Sequence, residues 1–558
     1  MNDCSSDKSC EIAGKIPYVK VFHHEKSQGK DNFKFNWRCR QFCFKKIFCI
    51  SGKNKKIMLD IPLKNILTAL KNRELPIAKL AILIIIIAGV ILRIKIYLFN
   101  QGLWGDELAL VYYNFMKKSF LELFQPLNNN QVAPPLFLIT TKFFFEMGRS
   151  INAWLYADLG AKFFPFICSF LSVFGFYFLL NKVFKNKIYI AICTLLFCFN
   201  PIALSYTQEV KQYSTDLLFS ILLIYTFYSI NFKQDSIKKI SIYSLTLLIS
   251  IWFSTSAIFV IMAGFCYLIF DFIKNKTYDK KFLFFAIPFA VNFLIWYFIY
   301  YLPVKELNYE YMFNFWGKEA QKFLVYDVFG IFNHELKALT SFNYIFPALG
   351  VGILILIYKK ELKILALTIL PVIFCSMASY MYFYPFELRL ILFLLPSIII
   401  VSTSFLLLIE ENKKNVFAIF IFTLIATALQ FEHSVSENIY FKTSVRKQVE
   451  YIIKNRNKFE KIYTFHIPEF EYYSKILNMN LKCISLYYPF EKEKADLFVN
   501  SLEKNKTHLL LIPTLAGLSE EFPINMKTYM KNNKKVEIIE TIAASNNGDF
   551  YIMKFRTK

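Results

Sequence analysis

Apolar runs long enough for a helix to cross a hydrocarbon core, roughly 17–25 residues, recur along this chain between short polar segments. They predict eleven membrane spans, at about residues 77–99, 157–180, 188–204, 215–230, 240–253, 257–273, 282–301, 344–358, 362–379, 390–409 and 416–430. A further apolar segment, APPLFLITTKFFFEMG at residues 133–148, is short and contains Lys142. Counting it as a span inverts every later loop, so it reads as a helix in or near the outer interface, within a long outer loop at about 100–156. Past about residue 432 the pattern changes. VRKQVEYIIKN has helical spacing, while KIYTFHI, KCISLYY and THLLLIPT read as strands. KVEIIETIAA, NNG and DFYIMKF read as a terminal hairpin, because Asn and Gly accept left-handed turn conformations. The predicted fold class is a polytopic α-helical membrane protein with about eleven spans and a small C-terminal extracytoplasmic α/β domain. Its expected divisions are a basic N-terminal segment at 1–75, a transmembrane domain at 76–431 and the α/β domain at 432–558.

Composition agrees: 56% hydrophobic content, 63 Phe and only 19% charged residues in 558 exclude an ordinary soluble enzyme. The net charge of +24 does not mark a nucleic-acid binder, because the basic residues occur in clusters between apolar runs. Those clusters orient the spans, since short cytoplasmic loops hold the Lys and Arg. They are Lys182, Lys185 and Lys187; Lys233, Lys238 and Lys239; Lys274, Lys276, Lys280 and Lys281; Lys359, Lys360 and Lys363; and Lys413 with Lys414. The intervening short loops carry only Lys211, no base around residues 254–256, and Arg389. The N-terminus is therefore expected in the cytoplasm and the C-terminal domain outside, with the first span an uncleaved anchor. FKFNWRCRQFCFKKIFC suits either an interfacial helix beside anionic lipid or a weakly ordered tail. Of 11 Cys, Cys4, Cys10, Cys39, Cys43 and Cys49 fall in the reducing N-terminal segment, five in spans, and Cys483 outside, so no intrachain disulfide framework is available there. Cys39, Cys43 and Cys49 lack the His partners of a zinc site.

The C-terminal segment has no glycine-rich phosphate loop, so the chemistry falls to three outer loops. The first holds Trp104, Asp106 and Glu107 in QGLWGDELALVYYN, followed by NNNQVAPPLF with Pro134 and Pro135. The second, SYTQEVKQYSTD, holds Tyr206, Glu209, Lys211, Tyr213 and Asp216. The third, SYMYFYPFELRLILFLLP, sets Arg389 at the mouth of a span. Each has a plainer reading: Asp106 as an N-cap with Glu107 in the first turn, Glu209 and Lys211 as a solvated pair, Arg389 as a snorkelling anchor, and the prolines as a helix start.

In this order and on one face, Trp104, Asp106, Glu107, Pro134, Pro135, YTQEVKQY and YPFELRLILFLLP resemble the GT-C superfamily of integral membrane glycosyltransferases. The resemblance is to the bacterial family related to protein O-mannosyltransferases and lipid A aminoarabinose transferases. VRKQVEYIIKN and FEYYSKIL are similar to that family's terminal domain, so the resemblance covers about residue 76 to the end. It implies a GT-C-like fold in a bacterial cell (inner) membrane and sugar transfer from a polyprenyl-phosphate donor to a lipid, glycan or protein acceptor, with inversion at the anomeric carbon. Independently, nucleotide sugars are not expected outside the cell membrane, whereas a lipid-linked donor brings its leaving group to the bilayer surface. Its phosphate needs a cation at headgroup depth. Arg389 would supply charge-assisted bonds of about 1.5–3 kcal/mol each. Lys211 would add a point charge, where the family more often has Arg. The resemblance makes Asp106 the base for the acceptor hydroxyl, a weak one unless its pocket raises its basicity. Glu107 faces elsewhere on the helix and would orient a partner or hold the interfacial helix. Glu209, with Asp216 as alternative carboxylate, would position the acceptor or a metal, with Tyr206, Tyr213, Trp104, Pro134 and Pro135 also positioning substrate. A divalent ion bridging carboxylates and phosphate is compatible with the sequence, but no His cluster demands one and no metal is assigned.

Other classes fit less well. A secondary transporter calls for inverted repeats and ionisable or broken segments at mid-span, and no internal repeat is visible. A polysaccharide polymerase or ligase would carry several Arg in a large outer loop, whereas residues 302–343 hold Lys305, Lys318, Lys322 and Lys337 but no Arg. A nonenzymatic receptor built on the α/β domain leaves the charged loops unexplained. Mannose, galactose and aminoarabinose, and protein, lipid A and cell-wall polymer, all fit as sugar and acceptor.

Overall fold

The computed structural model describes residues 77–99, 102–276, 279–408, 446–455, 461–464, 467–477, 483–485, 492–512, 528–543 and 551–558. The expected 1–75 segment with its five cysteines, the eleventh span, Lys413, Lys414 and the NNG turn lie outside the described residues. Residues Pro76–Gly317 and Gln321–Lys558 belong to one compact unit.

The described chain is mostly helical: α1 (Ile77–Leu98), α2 (Gly105–Leu110), α3 (Pro135–Val183), α4 (Lys187–Cys198), α5 (Pro201–Ser205), α6 (Tyr213–Ser229), α7 (Ile237–Phe253), α8 (Ala257–Asn275), α9 (Lys281–Trp296), α10 (Leu302–Met312), α11 (Val328–Thr340), α12 (Ile345–Tyr358), α13 (Leu362–Tyr380) and α14 (Leu395–Ser402). Each of the first ten expected spans falls on one or two of these helices. Five helical stretches, one of them running from Lys281 through α9 to Leu307 in α10, are long and apolar enough to cross a membrane, and seven if α4 with α5, bent by 49°, and α11 with α12, bent by 85°, each count as one crossing. The protein is a membrane protein; its shorter apolar helices fall below the length for unaided crossing.

The breaks have local causes. Asn200 caps α5 by accepting Ala203 N–H at 2.8 Å, with Pro201 as first residue. Asn186 caps α4 in the same way, accepting from Ile188 and Tyr189. Helix α3 is two limbs, broken at Asn152 (φ −158°, ψ 106°), whose side chain accepts Leu155 N–H at 3.0 Å and so starts the second limb. The limbs fold back on each other backbone to backbone. A Cβ on Gly148 would lie 2.1 Å from the Tyr156 carbonyl oxygen, and one on Gly160 2.3 Å from that of Phe144. The segment expected as a separate interfacial helix is thus a limb of its own, opened by Pro134 at the N-cap and Pro135 at the first position. Lys142 sits there because its buried ammonium donates to the carbonyls of Phe115, at 2.6 Å, and Lys118, the open end of the segment that begins with α2.

The C-terminal part contains α15 (Arg446–Lys454), α16 (Ile467–Ile476) and α17 (Lys492–Asn500), with strands β1 (Lys461–Thr464), β2 (Cys483–Ser485), β3 (Thr507–Ile512), β4 (Val536–Ala543) and β5 (Tyr551–Thr557). They form one sheet of order β2-β1-β3-β5-β4. The first three strands are parallel, and the predicted hairpin β4–β5 joins antiparallel to β3 with a bulge at Ile538/Glu540. Two large apolar clusters result. One fills the helix bundle; the other joins Leu108, Val111 and Phe115, the first limb of α3, and Val449, Ile452 and Phe470 of the C-terminal part.

Candidate functional site

The site assembles where α2 meets the 206–212 segment and the chain entering α14. Trp104 is the N-cap of α2, and Glu107 at the third helical position reaches back to accept Trp104 N–H at 3.1 Å. Asp106 is therefore not the cap. Glu107 is almost fully buried, and its other oxygen accepts Val210 N–H at 2.7 Å, tying α2 to the second loop. The Trp104 indole N–H donates to Glu209 Oε1 at 3.2 Å, a second tie between the same segments. Glu107 thus turns inward onto the backbone of the two segments, while Asp106 turns toward Arg389.

Arg389 Nη1 donates to Asp106 Oδ2 at 3.1 Å, and the guanidinium lies 5.2 Å from the centre of the Trp316 ring. Burial acts to lower the Arg389 pKa, but Tyr213, Asp106, Tyr206 and Glu209 around it raise it on balance, so it is a fixed cation. Tyr206 and Tyr213 meet edge to face at 4.9 Å. Lys211 is buried, donates to Gln131 Oε1 at 2.6 Å, and has Asp106, Arg389, Glu209 and Glu107 as electrostatic neighbours. Burial lowers its pKa, with Asp106 acting in the opposite direction. Glu209 and Lys211 are therefore buried groups with separate bonds to Trp104 and Gln131, not a solvated surface pair.

Seven predicted residues, Trp104, Asp106, Glu107, Tyr206, Glu209, Lys211 and Tyr213, thus gather with Arg389. Pro134 and Pro135 lie just beyond Gln131, where they start α3. Asp216 is buried one turn into α6 and faces Ser254 and Ser256 instead. Among the described residues, no group of three His, Cys, Asp or Glu is placed to hold a metal ion.

Three supports escaped the sequence reading. Glu335 of α11, nearly fully buried, accepts Leu388 N–H at 2.8 Å and so holds the backbone beside Arg389. Lys322 bridges Glu335 at 2.6 Å and Glu387 at 3.0 Å, and these bonds outweigh burial to raise its pKa. Nothing local in HELKAL signals that partnership. Arg93, fully buried in α1, donates to Ser169 Oγ at 3.1 Å and to the Gly89 and Cys198 carbonyls, and Ser169 meets Thr207 at 2.9 Å. A charge inside an apolar span was its legible signal. Asp158, near the start of the second α3 limb, binds Arg446, Tyr472 and Tyr473.

No family model and no curated protein matches the chain. Among solved structures, it is similar to ArnT from Cupriavidus metallidurans in the apo state: TM-score 0.46, 9% identity, 84% of this chain and 97% of that one covered. It is also similar to the same protein bound to undecaprenyl phosphate: TM-score 0.44, 10% identity and the same coverage. Neither likeness decides the chemistry, which is carried by this chain's own residues.

Proposed function

We propose that this protein transfers a sugar from a polyprenyl-phosphate-linked donor to a lipid, glycan or protein acceptor at the extracytoplasmic face of a bacterial inner membrane. The observation that carries the reading is the 3.1 Å pairing of Arg389 with Asp106, residues 283 positions apart, with Lys211 in the same electrostatic neighbourhood. A carboxylate to take a proton and two cations to receive a phosphate are the groups that such a transfer needs.

The pairing also suggests the sequence of events. The pair is partly exposed, its side chains 21% and 36% accessible, so it contributes only about 0–1 kcal/mol. Guanidinium–phosphate hydrogen bonds contribute about 1.5–3 kcal/mol each. A donor phosphate that makes two such bonds to Arg389, against its single bond to Asp106, frees the Asp106 carboxylate to face the acceptor. The acceptor oxygen attacks the anomeric carbon as the bond from that carbon to the phosphate oxygen breaks. Asp106 takes the hydroxyl proton, and the polyprenyl phosphate leaves on Arg389 and Lys211. A single displacement of this kind inverts the anomeric centre. In this reading residues 76–431 are the transferase domain, the C-terminal α/β domain lies outside the cell membrane, and residues 1–75 lie in the cytoplasm.

The test uses purified protein with a panel of polyprenyl-phosphate sugars, and cells lacking the gene whose surface glycans are compared by mass spectrometry. Asp106→Asn is expected to abolish transfer at normal expression, and Arg389→Ala to weaken donor use. A normal glycan product from the Asp106→Asn strain would sink the assignment.

A further inference from the structure

We infer that α16 of the C-terminal part is a clamp that sets the position of α2, and with it Asp106, making that part a component of the site's assembly. The inference rests on the proposed role of Asp106. Helix α16 grips the segment at both ends. Ahead of α2, the Tyr473 hydroxyl accepts Leu103 N–H at 3.3 Å and donates to Asp158 Oδ2 at 3.1 Å, both of which one hydroxyl can do. Lys162 adds a bond to the Gly102 carbonyl at 2.5 Å. Beyond α2, the Tyr112 hydroxyl donates to Glu471 and accepts from Lys475 at 3.1 Å. Burial, then the Glu471 carboxylate, push that hydroxyl up to about 12, so it keeps its proton at neutral pH. Between the two grips, Leu108 and Val111 pack in one apolar cluster with Phe470, Tyr472 and Tyr473.

The clamp is itself anchored. Asp158 is 2% exposed and accepts from Tyr472 at 2.6 Å, from Tyr473 and from Arg446 at 2.9 Å. Arg446 lies over the Trp154 ring at 4.3 Å and donates to the Trp154 carbonyl at 2.6 Å. Three bonds on a buried carboxylate make the junction intolerant of partial loosening. Asp106 lies three residues past Leu103, so a shift at the grip passes directly to the carboxylate. A displacement of about 1 Å of a reacting group costs up to roughly a hundredfold in rate. Arg389 is held separately, through Glu335 and Lys322.

The experiment compares full-length wild type with Tyr473→Phe, Tyr112→Phe and the double variant, each keeping the ring and removing only the gripping hydroxyl. Hydrogen exchange over residues 102–115 is expected to rise in the double variant while α6 and α8 stay protected. With a polyprenyl-phosphate sugar as donor, kcat is expected to fall about tenfold or more, with donor KM within about twofold. Unchanged exchange and kcat in the double variant would overturn the clamp, as would a uniform rise in exchange across all helices. If exchange rises as expected but wild type transfers no sugar from any donor, the proposed function fails and the clamp stands.

Discussion

At the scale of residues, burial and partner decide what each polar side chain does. Asp106 and Glu107 are adjacent and chemically alike, yet one holds the fold and the other meets Arg389, because the helix turns them to different neighbours. Lys211 gives a pH test. Burial favours its neutral form and lowers its pKa, whereas a bound phosphate favours the charged form. Donor binding therefore takes up a proton once the pH exceeds the lowered pKa, and affinity falls from that point by up to about tenfold per pH unit. Titrating polyprenyl phosphate from about pH 7 to 10 should show this fall in wild type. In Lys211→Arg it should disappear, since guanidinium stays charged beyond a pKa of about 12. An identical alkaline fall in both proteins would remove Lys211 from the phosphate site.

At the scale of elements, close helix approach depends on side chains that are missing. The α3 limbs touch at Gly148 and Gly160, and α12 approaches the Val401 carbonyl at Gly352, where a Cβ would sit at 1.8 Å. Gly160→Ala must push the limbs apart, with an overpacking cost of about 1–3 kcal/mol. Thermal unfolding in detergent is expected to show a lower midpoint, and a midpoint equal to wild type would mean that the limbs separate freely. Much at this scale was legible. The apolar runs named the helices of the expected spans, Pro134 and Pro135 marked the start of a limb, and alternation named the strands, but α10 and α11 lie in residues 302–343, which read as an outer loop. The size of the 49° and 85° bends was not legible: Asn200-Pro201 marks where a new helix starts, and the polar stretch before residue 344 marks a break, but the angle between the two helices is set by what they pack against.

At the scale of the whole molecule, the contacts of α16 with Leu103 and Tyr112 put the C-terminal part on the same face as Asp106. The Lys clusters predict that this face is outside. Cysteine placed at Lys531, exposed in the C-terminal part, is expected to react with a membrane-impermeant maleimide in intact cells. Cysteine at Lys185, exposed between α3 and α4, is expected to react only after lysis. The reverse pattern would invert the topology and remove the lipid-linked donor argument.

The sequence by itself determined the membrane class, the helices of the apolar runs, the strands and the loops that carry ionisable groups, because span length, period and turn chemistry are local properties read over a few to some twenty residues. Only the tertiary structure decided that Asp106 meets Arg389 across 283 positions, that Glu107 ties to Val210 across 103, and that Glu335 steadies Leu388. A helix fixes neighbours three and four positions apart; partners further away depend on how the helices pack. The GDEL stretch that starts α2 therefore named two carboxylates, and packing gave them different partners.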